Sequence, residues 1–103
     1  MRLFESAYAA GVRSFLIAGS AAEYGLSGEK YEFIPPDAPL EPYNVYGTSK
    51  AMSYLSIREY FRDKHSSVFY LRLFHLFGEG QNEDRLWPWL RKNARLQNDV
   101  ELT

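Results

Sequence analysis

The sequence predicts an α/β fold, a parallel sheet with helices alternating along the chain, and three observations predict it. Two short stretches, Ser14-Phe15-Leu16-Ile17-Ala18 and Ser67 to Phe74, are rich in β-formers and read as buried strands. A long helical stretch separates them, giving the order helix, strand, loop, helix, strand, helix and the start of a strand. The third observation is size: 103 residues with 46% apolar side chains amount to one domain at most. Two or three parallel strands would leave unpaired edges and half-covered faces, so the expectation is a fragment of a larger sheet.

Each element has its own signal. Leu3, Phe4, Ala7 and Ala10 recur at helical spacing, and Gly11 stands where a glycine ends a helix. Val12 and Ser14 to Ala18 then form an apolar run whose length suits a strand. Gly19 to Tyr43 holds Gly25, Gly28, Pro35, Pro36, Pro39 and Pro42 and reads as a long loop, a length that is usually functional or disordered. Asn44 is an N-cap candidate for a helix running to about Lys64. Residues 77–84, with Gly78, Gly80 and Asn82, are again loop, and a third helix is expected from about Arg85 to Leu96. Val100 to Thr103 reads as a strand beginning. The aromatic share is high, 17%, and is assigned to core packing except at Tyr46.

Composition excludes several classes of function. Twelve Lys+Arg against 13 Asp+Glu give a formal charge of −1, so there is no general attraction to nucleic acid or an anionic membrane. The absence of cysteine removes disulfides, thiol nucleophiles and cysteine-based metal sites. No apolar run approaches the ~18 residues of a membrane span, and the N-terminus lacks the apolar core of a signal peptide. A cytoplasmic protein with no metal site is the expectation. His65 and His75 have no nucleophile or carboxylate motif beside them, which disfavours a histidine-based hydrolase.

The chemistry concentrates in Tyr46-Gly-Thr-Ser-Lys50 at the start of the long helix. Positions i and i+4 share a helix face, so phenol and ammonium project the same way. A phenol titrates near 10 in isolation, and a neighbouring cation favours its ionised form, which suits a proton donor or acceptor near neutral pH. A Tyr-x-x-x-Lys pair arises easily in a tyrosine-rich chain, and Tyr46 packing beside a solvated Lys50 is the plainer reading of the pair alone. Ser20, placed just past the end of the first strand where open α/β sheets bind ligands, makes the pattern far more specific.

With Phe15 to Gly25, Pro39 to Lys50 and Leu71 to Gln81 in that order, the chain resembles the extended short-chain dehydrogenase/reductases, the NAD-dependent epimerase/dehydratase group acting on nucleotide sugars. The resemblance covers most of residues 1–103 and implies a Rossmann-type parallel sheet. It matches Ser20 to the catalytic Ser/Thr, Tyr46 to the general acid/base, and Lys50 to the lysine that binds the nicotinamide ribose and favours the phenolate. It places Ala18 and Gly19 beside the nicotinamide and Leu73 and Phe74 on its carboxamide side, with NAD or NADP as cofactor. It gives His75 the place of a substrate-binding Asn, and sets Arg85 and Leu86 along the nucleotide diphosphate of a nucleotide-sugar substrate. Arg91, Lys92 and Arg95 add positive charge that a solvated helix face also explains. Members often dimerise through the tyrosine-bearing helix, which offers Tyr54, Leu55 and Phe61; packing on the sheet explains the same side chains equally well.

Two departures qualify the resemblance. The glycine-rich turn that cradles the pyrophosphate does not occur in the sequence, since Glu83 stands in the third glycine's place after Gly78 and Gly80. The acidic residue that selects NAD over NADP is missing with it. About three βα units of roughly 30 residues each are therefore expected before Met1, and a substrate-capping region after Thr103. The dehydratases of the group carry Asp and Glu directly after the Ser/Thr, where Ala21 and Ala22 stand here. That disfavours a dehydratase and leaves an epimerase or a 4-keto reductase, the latter slightly preferred. Without that glycine-rich turn the isolated 103 residues are expected to bind dinucleotide poorly and to be inactive whatever the parent protein does. The competing class is a truncated inactive product or a binding module for dinucleotide or nucleotide sugar.

Overall fold

The computed structural model describes residues 1–101. Helix α1 spans Arg2–Ala9 and ends at Ala10. Gly11 then takes φ +96°, a left-handed conformation that a glycine adopts without strain. Strand β1, Ser14–Ser20, pairs in parallel with β2, Ser67–Leu73, from Ser14↔Ser67 to Ser20↔Leu73. Between them lies helix α2, Val45–Phe61, so β1, α2 and β2 form a parallel crossover as the alternation predicts. The Asn44 side chain accepts the Gly47 N–H at 2.7 Å and fixes the start of α2. The helix ends at Phe61, three residues short of the expected Lys64, whose ammonium instead donates to the Tyr60 carbonyl at 2.7 Å. Helix α3, Leu86–Arg95, accepts Pro88 because the third helical position has no N–H bond to lose.

The core is one cluster on one face of the sheet. Phe15, Ile57 and Phe61 are its buried centre, and Phe4, Ala7 and Tyr8 of α1 close over it with Ile17, Val68 and Tyr70. The Phe15 and Phe61 rings meet at 4.6 Å. Of the residues expected either to reach a partner or to pack on the sheet, Phe61 is buried here and Tyr54 meets Tyr70 edge to face with ring centres 4.8 Å apart, while Leu55 stays exposed.

Three expectations are corrected. The stretch 19–43 is not a plain loop: it contains the short 3-10 turns Ala21–Glu23 and Leu26–Lys30, and buries Tyr24, Ser27 and Ala38. Side-chain bonds to backbone carbonyls hold it, from Tyr24 to Pro36 at 3.2 Å and from Ser27 to Pro39. Gly25 has φ +51° and faces the Glu41 backbone so closely that no Cβ would fit. Secondly, Val100 and Glu101 form no strand, because a strand exists only when paired and they pair with neither β1 nor β2; Leu102 and Thr103 lie outside the described residues. Thirdly, the aromatics are not nearly all core, since Phe33, Tyr43, Phe69 and Phe77 are exposed.

No residue from Phe74 to Glu101 is buried. The radius of gyration, 18.1 Å, exceeds the ~13 Å of a compact chain of this length, and the extents are 56 × 32 × 23 Å. Among the described residues no helix is long and apolar enough to cross a membrane.

Candidate active site

The C-terminal end of the sheet and the first turns of α2 meet through close backbone approach. Gly47 lies against the turn after β1: a Cβ there would stand 2.5 Å from the Ala22 carbonyl oxygen. A glycine is what allows α2 to start this near the strand end. One turn later, the Lys50 ammonium donates to the Ala18 carbonyl at 3.1 Å. The start of α2 thus touches the chain two residues before and two residues after Ser20, which brings Tyr46 and Lys50 to the serine's end of the sheet.

Ser20 is the last residue of β1 rather than the first beyond it, and it caps the 3-10 turn Ala21–Glu23. Its hydroxyl accepts the Ala22 N–H at 3.2 Å, and its own N–H donates to Glu23 Oε1 at 2.8 Å. The hydroxyl proton is left for another acceptor. Tyr46 is 59% exposed, and among the described residues its phenol has no hydrogen-bond partner. Lys50 has two N–H groups beyond the one given to Ala18. Three donors, one of them cationic, therefore stand uncommitted at the end of a parallel sheet, where such folds bind ligands.

The remaining sequence-predicted residues divide. In register, Ala18 is opposite Leu71, Gly19 opposite Arg72 and Ser20 opposite Leu73, so Leu73 and Phe74 close the same end of the sheet as Ser20. Ala18 and Gly19 face opposite ways: Ala18 is exposed, whereas Gly19 is buried against the Tyr70 ring and Glu23. His75, Arg85 and Leu86 gather with Phe74, Phe77 and Trp87 around a separate cavity of about 650 Å³, which Ser20, Tyr46 and Lys50 do not line. Arg91, Lys92 and Arg95 line another concavity with Gly78 to Gln81, and Lys92 is paired with Glu83 at 3.4 Å.

Beneath Ser20 lies a polar network that the sequence reading did not assign. Glu23 is wholly buried and pairs with Arg72 at 2.8 Å, and the Tyr70 hydroxyl donates to the same carboxylate at 2.9 Å. Burial, and then the bond to Glu23, push the Tyr70 phenol well above its usual range. Burial works against the Arg72 charge, but bonds to Glu23 and Tyr24 outweigh it, so its pKa is raised. The signal available in the sequence was the capping-box spacing Ser20-x-x-Glu23, with an arginine inside an otherwise apolar strand.

The donor set suits the nicotinamide end of a dinucleotide. A ribose diol needs a donor and acceptor pair such as the Lys50 ammonium and the Tyr46 phenol, and both are accessible here. A sequence model described as the NAD dependent epimerase/dehydratase family matches residues 1–103. No curated protein and no solved structure matches the chain.

Proposed function

The chain belongs to the NAD-dependent epimerase/dehydratase family, and on that premise we propose that it carries the proton-transfer centre of an NAD(P)-dependent nucleotide-sugar epimerase or 4-keto reductase. The observation that carries this reading is the Lys50–Ala18 bond at the end of β1, with the unpartnered Tyr46 phenol one turn earlier on the same helix face.

In this reading Tyr46 is the general acid/base. It takes the proton of a sugar hydroxyl as the carbon is oxidised, or returns it as the ketone is reduced. Ser20 donates its free hydroxyl proton to the same substrate oxygen and fixes its distance from the phenol. Lys50 stands one turn from Tyr46 on the same helix face, and the N–H groups it does not give to Ala18 hold the ribose with Tyr46. Ala18, Gly19, Leu73 and Phe74 would flank the nicotinamide. Bound there, NAD or NADP supplies the hydride acceptor and donor. His75, Arg85 and Leu86, gathered round one cavity, would hold the nucleotide sugar, with Arg85 meeting the diphosphate.

The test is Tyr46→Phe, which removes the proton and keeps the ring. In a protein that carries the glycine-rich turn as well as this chain, given a 4-keto nucleotide sugar and NADH or NADPH, turnover should fall about 10²–10⁴-fold while the folded spectrum and nicotinamide binding stay as they were. Unchanged turnover would sink the role given to Tyr46. Binding of both ligands with no turnover in the unmodified form of that protein would favour a binding module instead.

A further inference from the structure

The wholly buried Glu23 carboxylate lies directly under the backbone of Ser20. Its Oε1 accepts the Ser20 N–H at 2.8 Å and the Tyr70 hydroxyl at 2.9 Å, and its Oε2 accepts Arg72 Nε at 2.8 Å. Tyr70 and Arg72 both belong to β2, so one carboxylate ties the last amide of β1 to the neighbouring strand. Arg72 is itself fixed. Its Nη1 donates to the Pro36 carbonyl at 3.0 Å and to the Tyr24 hydroxyl at 3.3 Å, and its guanidinium lies 4.2 Å from the centre of the Tyr54 ring. Tyr54 is on α2, two turns beyond Tyr46. Gly19 leaves room for the arrangement, because a Cβ there would overlap the Tyr70 ring and stand 2.8 Å from Glu23 Oε1.

Removing two charges from water is costly, and a well-packed apolar pair stabilises a core as well or better. An apolar pair cannot accept the Ser20 amide. We propose that Glu23 and Arg72 are positioning residues of the active site: the carboxylate locks the Ser20 backbone so that its hydroxyl is presented to the oxygen on which Tyr46 works, and Arg72 ties that lock to the helix bearing Tyr46. The inference rests on the roles given to Ser20 and Tyr46 above.

The test compares two charge-free double variants of the full chain, Glu23→Leu with Arg72→Met and Glu23→Gln with Arg72→Met. Neither leaves an unpaired buried ion, and only the second keeps an acceptor for Ser20. Amide hydrogen exchange and the amide proton shift are read by NMR at Ser20, with Phe15 and Ile17 of the same strand as controls. The leucine variant should exchange about tenfold or more faster at Ser20, with its amide resonance moved upfield and the controls unchanged. The glutamine variant should recover the protection. Unchanged exchange at Ser20 in the leucine variant would overturn the proposal. So would a uniform rise at Ser20, Phe15 and Ile17, or loss of the folded spectrum in both variants, since the pair would then only hold the fold together. Exchange is read without cofactor or substrate, so its failure is distinguishable from a failed Tyr46→Phe experiment, which reads turnover.

Discussion

The two faces of the sheet are made of the same two strands and have opposite fates. Phe15, Ile17 and Gly19 of β1 alternate with Leu16 and Ala18, and Val68, Tyr70 and Arg72 of β2 alternate with Phe69, Leu71 and Leu73. The first set lies under α1 and α2 or over the Glu23 network. The second is open, with Leu16 74% and Phe69 62% exposed. Hydrophobicity does not separate the faces: Leu16 and Phe69 are as apolar as Ile17 and Phe15. What separates them is that both helices pack on one side. An apolar side chain stabilises the chain only where something covers it, so the stability of the described residues comes from a single face.

That contrast can be broken at the covered face most strongly. Phe61→Ala removes the ring that joins Phe15, Phe4, Tyr8 and Tyr60 and should destabilise by about 3–5 kcal/mol, seen as a lower urea midpoint. An equal loss from Leu16→Ala would erase the distinction between the faces.

A smaller and pH-dependent effect is expected at Tyr70. Its folded pKa is raised above the ordinary 10.0, so above about pH 10 the unfolded chain releases this proton while the folded chain keeps it. The folded state then binds more protons than the unfolded one, and stability falls as pH rises. Tyr70→Phe should cost about 1 kcal/mol at neutral pH through the lost bond to Glu23, and should flatten the decline above pH 10. Thermal melts of the two chains from neutral to alkaline pH would show it, and parallel declines would contradict it.

The smallest effects belong to the open face. Leu16→Ser and Phe69→Ser should each change the stability of this chain by no more than about 0.5 kcal/mol. A loss several times larger in dilute solution would mean that something covers that face, and sedimentation at two concentrations would show whether it is a second copy.

The glycine at 11, the asparagine at 44 and the two β-forming runs are local signals, and the elements they predict form within a few residues of the expected bounds. Tyr46 and Lys50 were legible as a pair because helical geometry alone sets i and i+4 on one face. The order of residues 19–43 was not legible, because proline and glycine mark turns without telling which carbonyl Tyr24 or Ser27 will find. Nor was the Glu23–Arg72 pair, whose members stand 49 positions apart.

The sequence by itself determined the alternation of helices and strands, the start of α2 and the spacing of Tyr46 and Lys50, because each depends on neighbours within about one helical turn or a few strand residues. Only the tertiary structure decided which face of the sheet is covered, that Gly47 could bring α2 against the turn after Ser20, and that the Glu23 carboxylate would be buried against Tyr70 and Arg72. Those depend on the β1–β2 register and on the distance between backbones far apart in the chain, and a shift of one residue would turn Arg72 to the other face of the sheet.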